Sequence, residues 1–327
     1  MSLPVIDLHC DLLSYLTREN TTFNDTAEIG CALPDLQQGN VKLQVMAIFA
    51  PTQTESTAYG LQQAEIFRRL AEEENDWYAF RPQDVASFGK NSNVGMLAAI
   101  ENGLAFCDEN IPLKQGFENF ERLLELTGPA LYVGFTHHAE NRFGGGNFST
   151  AGLKNDGMAL LDYLHGRNIA VDFSHTSDVL AYGILDYIVK QNLDISMLAS
   201  HSNYRSVYGH VRNLPDELAQ EIIHRKGLIG LNLVRAFVDP DHEEALADHL
   251  AHGINLGGEH SVCYGADYFY TKSHPDKSRI PFYFPAHESA ALYPELTEKF
   301  AACFGAHVAE NLSSENALQF MRRLWSL

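Results

Sequence analysis

The sequence predicts an α/β protein, a (β/α)₈ barrel of the TIM type with additional C-terminal helices. Three observations support this fold class. Eight short apolar runs rich in β-branched residues indicate buried strands, and amphipathic stretches with helical periodicity lie between most of them. The 327 residues contain no internal repeat and no Pro/Gly/Ser-rich linker. Because a barrel needs about 250 residues, a single domain over residues 1–327 leaves room for extra segments.

The predicted elements alternate along the chain. The strand-like runs are residues 5–8, 43–49, 96–100, 131–135, 169–173, 195–199, 228–234 and 262–265. The helical stretches are residues 61–74, 117–126, 157–164, 179–190 and 216–226. The last of these has clear end signals, with Pro215 near its start and Gly227 just beyond its end. From about residue 293 the tail predicts two outer helices, at residues 294–304 and 314–324.

Composition narrows the classes of partner. The formal net charge of −19 argues against nucleic acid, because a phosphate backbone is bound by a basic patch and no cluster of Lys and Arg occurs. No run approaches the roughly 20 apolar residues of a membrane span, and the N-terminus lacks the pattern of a secretory leader. We therefore expect no nucleic-acid partner, no membrane partner and a chain that is not exported.

The cysteines indicate the compartment. They are odd in number, scattered and free of any CxxC pair, which is typical of a reducing cytosol and argues against a zinc site made of thiolates. They are Cys10, Cys31, Cys107, Cys263 and Cys303. We therefore expect a cytoplasmic protein. The sequence leaves open whether two chains pair as a homodimer.

Five metal-competent side chains stand where apolar runs end. They are His9, Asp11, Glu101, His175 and His201. The carboxyl ends of parallel strands are where such folds place their chemistry, so these side chains are expected to meet. His9 and Asp11 lie two residues apart, and since side chains alternate along a strand, both can reach one ion. A lone His is more often a core residue, but the five together predict a metal hydrolase.

Seven segments of the chain also resemble a known family. They are DLHCDL (7–12), IENG (100–103), FTHHAEN (135–141), DFSH (172–175), SHSN (200–203), RNLPDE (212–217) and GAD (265–267). Their order is similar to that of the membrane (renal) dipeptidase family of the binuclear zinc amidohydrolase superfamily. The resemblance covers essentially the whole chain, and each segment lies at or just after the end of a predicted strand.

The resemblance implies a metal centre with two Zn²⁺ ions per chain, although other divalent metals could substitute. His9 and Asp11 would hold one ion, His175 and His201 would hold the other, and Glu101 would bridge them. The residue types agree, because imidazole and carboxylate suit Zn²⁺ and a two-metal site needs a shared carboxylate. Two cations would lower the pKa of a bridging water from 15.7 towards about 7, which generates hydroxide at neutral pH.

The resemblance also implies the reaction, which is hydrolysis of small dipeptides, often with tolerance of a D-residue at the C-terminal position. Asp267 falls on the family's eighth-strand aspartate and would orient the hydroxide and carry its proton to the leaving amine. His137 falls on the substrate-polarising histidine and would stabilise charge on the carbonyl oxygen. Arg212 falls on the arginine that binds the substrate carboxylate, for which its planar fork is suited.

Two other functions remain open. A different amidohydrolase reaction on the same metals, such as deacylation of an N-acyl amino acid, would use the same residues. A catalytically silent, metal-stabilised binding protein would need only the ligands. Asp267 argues against the second alternative, because metal binding alone needs no additional acid.

Individual residues have simpler interpretations as well. Arg212 could form a surface ion pair with Asp216 or Glu217, worth only about 0–1 kcal/mol. His137 and His138 are adjacent and would face opposite sides of a strand, so at most one is expected to point into the site, and the motif selects His137.

The segment after Asp267 departs from the family pattern. The family continues Asp-Phe-Asp-Gly, whereas this chain has DYFY at residues 267–270. Residues 271–285 follow with basic and aromatic side chains, which predicts a lid over the site. Lys272 and Arg279 are therefore the second choice for an anchor of the substrate carboxylate. The exact leaving amino acid is left undetermined by the sequence.

Overall fold

The computed structural model describes residues 2–327, and its framework is a parallel β-sheet. Its strands are β1 (Val5–Cys10), β2 (Val41–Phe49), β3 (Trp77–Ala79), β4 (Val94–Glu101), β5 (Ala130–Gly134), β6 (Ala170–Asp172), β7 (Met197–Ala199), β8 (Leu228–Leu231) and β9 (Val262–Tyr264). The eight predicted strands are all present, and none of their bounds differs by more than three residues.

The sheet closes into a barrel. Strand order is β2-β1-β9-β8-β7-β6-β5-β4-β3, and a further parallel pairing of β2 with β4 joins the two ends. The short strand β3, which we did not predict, pairs only with the first half of β4 and lies outside the ring of eight. The observed architecture is therefore the predicted (β/α)₈ barrel.

Helices surround the barrel and continue beyond it. They are α1 (Leu12–Tyr15), α2 (Leu33–Gln38), α3 (Ser56–Glu73), α4 (Leu113–Thr127), α5 (Asn155–Leu164), α6 (Asp178–Gln191), α7 (Asp216–His224), α8 (Arg235–Val238), α9 (Ala245–Asn255), α10 (Tyr293–Phe304), α11 (Ala306–Glu310) and α12 (Asn316–Leu324). A π-helical turn, Asn311–Glu315, leads into α12. The two predicted C-terminal helices correspond to α10 and α12.

Helix α4 begins at Leu113 rather than residue 117, and two other helix bounds differ from the prediction for identifiable local reasons. Helix α3 begins at Ser56 rather than residue 61, because polar groups stabilise its first turn: the Thr57 hydroxyl donates to the Leu104 carbonyl at 3.1 Å. Helix α7 ends at His224 rather than residue 226, because Lys226 adopts a left-handed backbone conformation with φ +60°.

Apolar side chains fill the barrel interior at the N-terminal ends of the strands. Inward-facing residues such as Leu8, Val45 and Leu97 form one buried cluster with Phe320 and Met321 of α12. Helix α12 therefore covers the N-terminal ends of the strands, and the C-terminal ends are left for the site. Among residues 2–327, no helix is both long enough and apolar enough to cross a lipid bilayer.

Candidate metal centre

The five predicted ligands converge at the C-terminal ends of the strands. Glu101 is the last residue of β4, and His9 is the second-last residue of β1. Asp11 lies between the end of β1 and the start of α1. His175 and His201 follow β6 and β7 by three and two residues. Except for Asp11, which is partly exposed, all of them are buried.

Glu101 lies at the centre of this cluster. Its Oε1 atom is 3.0 Å from His175 Nε2 and 3.7 Å from His201 Nε2. Its Oε2 atom is 3.5 Å from His9 Nε2. Each carboxylate oxygen therefore faces a different histidine set, which is the arrangement that a bridging ligand requires.

The donor atoms form overlapping groups that fit metal ions. Potential ligand atoms lie within 4.8 Å of one another in the groups His9, Asp11 and Glu101; Glu101, His175 and His201; and His9, His201 and Asp267. Three of these atoms, His9 Nε2, His201 Nε2 and Asp11 Oδ1, are buried without a hydrogen-bond partner in the protein. Buried polar atoms are rarely left unpartnered, so a shared cation accounts for them.

Electrostatics also favours positive charge at this point. Burial lowers the pKa of His9, but the Glu101 carboxylate overcomes that effect and raises it to about 10. Burial raises the pKa of Glu101, but His9 overcomes that effect and lowers it to about 2. The Glu101 carboxylate thus stays ionised beside a positive charge, and a divalent metal would supply that charge by replacing the proton.

The hydroxyl group of Tyr132 fixes the tautomer of His9. The Tyr132 hydroxyl donates its hydrogen to the Leu8 carbonyl at 2.9 Å and lies 2.8 Å from His9 Nδ1. Because that hydrogen is already used, Tyr132 accepts from His9 Nδ1–H. The lone pair of His9 Nε2 is left for a metal ion, as second-shell partners commonly arrange.

His201 is held in the same way. The Ser200 hydroxyl donates to Asp172 Oδ2 at 2.5 Å and accepts from His201 Nδ1 at 2.7 Å. For His175, Nδ1 donates to Asn147 Oδ1 at 3.2 Å, since an amide oxygen can only accept. Burial lowers the pKa of both His175 and His201 well below its usual value, so their Nε2 lone pairs remain available.

Asp267 lies beside this cluster rather than at its centre. Its Oδ1 atom is 3.9 Å from His9 Nε2, and Oδ2 accepts a hydrogen bond from the Asn232 side chain at 2.9 Å. Burial raises the pKa of Asp267 to about 6, while His9 lowers it and Glu101 raises it. One oxygen is therefore fixed by Asn232 while the other faces the ligands.

Three residues at the site have a left-handed backbone conformation. His175, Asp267 and Asn102 have φ values of +66°, +63° and +76°. Left-handed conformations are uncommon for residues other than glycine, and they persist where the surrounding structure imposes them. The strain orients His175 and Asp267 as their strands end.

His137 and His138 both line the cavity, so the prediction that only one would do so was wrong. The chain leaves strand geometry after Gly134, and alternation of faces no longer applies. The centroids of the His137 and His138 rings lie 3.8 Å apart. His137 Nε2 is 3.8 Å from Glu101 Oε1. Burial lowers the pKa of His137 to about 3, so it is neutral and can donate a hydrogen bond.

Arg212 is buried, which contradicts its interpretation as a surface ion pair. It is 3% exposed, and its guanidinium donates to the His201 carbonyl at 3.1 Å and to Ser202 Oγ at 3.2 Å. Asp216 instead pairs with His252 at 2.9 Å. Arg212 therefore lies directly behind the predicted ligand His201 and contacts the ring of Phe237, which lines the cavity.

A cavity of about 280 Å³ opens above the cluster. Its walls include Glu101, Asp267 and both adjacent histidines, and its outer rim comes from the predicted lid. Arg279 of the lid lines this cavity, whereas Lys272 pairs with Glu28 at 2.6 Å and faces a separate groove. Of the two second-choice anchors, only Arg279 is in position.

Sequence reasoning missed the residues that orient the ligands. They are Tyr132, Asn147, Asp172, Ser200 and Asn232. Asp172 and Ser200 carried a signal, because each is polar at the end of an apolar run just before a predicted ligand. Tyr132, Asn147 and Asn232 carried none, because their partners are remote in sequence.

Comparison with curated proteins found distant relatives. An uncharacterized dipeptidase of Schizosaccharomyces pombe is 24% identical over 295 residues, which cover 79% of this chain and 67% of that protein. Dipeptidase 3 of Mus musculus is 22% identical over 317 residues, which cover 90% of this chain and 59% of that protein. The chain thus spans about three fifths to two thirds of these relatives.

Solved structures share the fold over the full length. Dipeptidase AC, a metallopeptidase of family M19, has a TM-score of 0.85 at 20% identity, with all of both chains covered. A metallopeptidase from Rhodobacter sphaeroides, liganded with a phosphinate mimic of the dipeptide L-Ala-D-Ala, has a TM-score of 0.82 at 18% identity, covering 99% of this chain and 100% of that one.

The decisive match is to a family profile over almost the whole chain. The profile of the membrane dipeptidase family, peptidase family M19, matches residues 1–323 and so includes every residue of the cluster. The barrel and the histidine and carboxylate cluster at its C-terminal face agree with that match. The chain therefore belongs to the membrane dipeptidase family, a family of metallopeptidase hydrolases.

Proposed function

We propose that this protein is a zinc-dependent dipeptidase with a binuclear metal centre. The observation that carries the proposal is the position of Glu101, which belongs to two ligand groups and presents a different oxygen to each. His9 and Asp11 would hold one ion, and His175 and His201 the other. When bound, the two ions would supply the Lewis acidity that activates water for attack on the peptide carbonyl.

The remaining site residues have distinct roles in this proposal. Asp267, oriented by Asn232, takes a proton from the attacking water and delivers it to the leaving amine. His137, which is neutral, donates a hydrogen bond to the carbonyl oxygen as negative charge develops there. Arg212 keeps Nε without a protein partner, which supports a role in binding the substrate carboxylate.

A small peptide matches the space available. The cavity of about 280 Å³ lies close to the volume range of small-ligand pockets, which begins near 300 Å³. The similar structure from Rhodobacter sphaeroides binds a phosphinate mimic of L-Ala-D-Ala. We therefore extend the proposal to dipeptides that carry either an L- or a D-residue at the C-terminal position.

A substrate panel tests the proposed reaction. The zinc-loaded protein would be offered free dipeptides with L- or D-residues at the C-terminus, and N-acyl amino acids built from the same C-terminal residues. We expect turnover of free dipeptides, with the higher kcat/KM in that series. Faster hydrolysis of the N-acyl amino acids would instead favour a deacylase, and absence of any turnover with two metals bound would favour a binding protein.

A substitution at Arg212 tests the proposed carboxylate anchor. Arg212→Met should lower kcat/KM for free dipeptides by about tenfold to more than a hundredfold, because a charge-assisted bidentate contact is lost. C-terminally amidated dipeptides offer no anion and should lose far less. Arg225→Met is a matched control, because Arg225 pairs with Glu221 at the surface. Equal losses on both substrate series would remove Arg212 from substrate binding.

We also propose a cytoplasmic location. All five cysteines are free thiols, and four of them are buried, as expected for a protein that matures in a reducing compartment. Fractionation of cells that express the protein, with detection by antibody, would test this location. Recovery outside the cytoplasmic fraction would contradict it.

A further inference from the structure

Arg279 of the lid has no protein partner for its charge. Its side chain lines the same cavity as Glu101 and Asp267. Among residues 2–327, no carboxylate oxygen lies within 4.0 Å of its guanidinium nitrogens, and its Nε atom is buried without a hydrogen-bond acceptor. Arg279 is partly exposed, but the Nε–H donor that it buries is costly to leave unpartnered, so an anion is expected there when the site is in use.

The missing partner does not reflect a shortage of carboxylates. The chain has 42 acidic and 23 basic residues. Several other arginines have acidic partners: Arg68, Arg142 and Arg205 approach carboxylates at 2.9, 2.8 and 2.6 Å. Arg18, which also lines the cavity, donates to Ser273 Oγ at 2.9 Å instead of to a carboxylate. Among residues 2–327, the guanidinium of Arg279 has neither a carboxylate nor another hydrogen-bond acceptor.

The guanidinium of Arg279 is held in place by aromatic rings. Its central carbon lies 5.2 Å from the centroid of the Phe237 ring and 5.3 Å from that of Phe282. The turn that precedes it is also fixed, because Asp276 accepts hydrogen bonds from the backbone and side chain of Ser278 at 3.0 and 2.6 Å. A stacked guanidinium loses little further freedom when it binds a planar anion.

Arg212 contacts the same aromatic ring. Its guanidinium carbon is 5.3 Å from the Phe237 centroid, so two guanidinium groups lie against one phenyl ring. Two carboxylates on one amino-acid residue, the α-carboxylate and that of an acidic side chain, can reach two cations arranged in this way. A monoanionic dipeptide would leave one of the two arginines unpaired.

We propose that Arg279 binds the side-chain carboxylate of the substrate's C-terminal residue, so that the preferred substrates are dipeptides ending in an acidic amino acid. This inference rests on the proposed dipeptidase function, with Arg212 as the anchor of the α-carboxylate. It adds a second anion site and a substrate class to that function.

Matched substrate pairs test the inference. The zinc-loaded protein would be assayed on Ala-Asp against Ala-Asn and on Ala-Glu against Ala-Gln, with the second residue as the L- and the D-form. We expect kcat/KM for the acidic member to exceed that for its amide by about tenfold to a hundredfold. In Arg279→Met, which keeps an apolar stem against the rings, this ratio should fall towards one.

Lys272→Met is the matched control, because it removes a positive charge from the same lid at a side chain that faces a different groove. Its acid-to-amide ratio should equal that of the unmodified protein. Equal kcat/KM for acid and amide, or a ratio that Arg279→Met leaves unchanged, would overturn the inference while leaving the dipeptidase function intact. A failure to hydrolyse any dipeptide would overturn both.

Discussion

At the scale of single residues, Asp267 meets the requirements of a proton carrier. It is buried, one of its oxygens is held by Asn232 and the other faces His9, and its pKa is raised towards neutrality. A carboxyl group with a pKa near the working pH can both accept and return a proton.

Asp267→Asn should therefore keep the metal ions and lower kcat by about 10²- to 10⁴-fold, the usual contribution of general acid–base catalysis. Metal content and kcat should be measured on the same preparation, so that loss of metal is distinguished from loss of chemistry. A fully metallated variant with near-normal kcat would exclude Asp267 from the mechanism.

Asp35, in helix α2, provides a pH-dependent prediction away from the site. Burial raises the pKa of Asp35 to about 6 from its ordinary value of 3.8, and its Oδ2 atom has no hydrogen-bond partner. Because the folded-state pKa is the higher one, the group stabilises the fold at low pH. That contribution is full below pH 3.8 and is lost progressively as the pH rises through about 6.

Asp35→Asn should thus raise the melting temperature most at pH 8, where the native protein carries a poorly solvated charge, and less at pH 5, where that charge is only partly formed. Thermal unfolding at the two pH values would measure the difference. Asp186→Asn, at an exposed position of α6, is the control. An equal gain at both pH values, or a loss at pH 8, would contradict the assignment.

The five ligands could be predicted from the sequence because each is a metal-competent residue at the end of an apolar run. The residues that set ligand tautomers could not be predicted in the same way. Tyr132 contacts His9 across 123 positions of sequence, and Asn232 contacts Asp267 across 35. Such contacts depend on strand order and register, which the apolar pattern does not specify.

At the scale of elements, glycine residues allow the backbones at the ends of β7, β8 and β9 to pack closely. A Cβ atom on Gly230 would lie 1.9 Å from the Ser200 carbonyl oxygen, and one on Gly265 would lie 2.0 Å from the same atom. These strands can approach closely only because both positions lack a side chain. Ser200 precedes the ligand His201, so the close approach also positions the metal centre.

Gly230→Ala should destabilise the protein by about 1–3 kcal/mol, the usual effect of overpacking, and should weaken metal binding. Urea unfolding and a zinc titration would measure the two effects. Gly209→Ala is the control, because a Cβ atom there meets nothing within 4 Å. If the two variants had the same unfolding midpoint, the packing argument would be wrong.

Most elements could be predicted; the short helices α1, α2, α8 and α11 were missed, as were β3 and α9. Strand β3 has only three residues, Trp77–Ala79, which is too short to show alternation. Helix α9, Ala245–Asn255, does carry a signal that the prediction overlooked, because Leu246, Leu250 and Ile254 recur at helical spacing. The lid was predicted from its composition, but the stacking of Arg279 between two rings was not.

At the scale of the whole molecule, the two ends of the barrel differ in composition: one is packed with apolar side chains and the other carries the candidate metal centre. Helix α12 fills the N-terminal end with apolar side chains, whereas the C-terminal end gathers histidines and carboxylates around Glu101. The formal net charge is −19, and the cationic groups of the cavity wall and lid, with the metal ions, would provide local positive charge for an anionic substrate.

The central claim is that two metal ions share Glu101 and are required for dipeptide hydrolysis. The most direct test is to strip the protein with a chelator and titrate it with Zn²⁺ while bound metal and dipeptide hydrolysis are both measured. We expect no activity without metal, full activity at two ions per chain, and neither two bound ions nor activity in Glu101→Gln. Full activity in the stripped protein, or two bound ions per chain in Glu101→Gln, would contradict the claim.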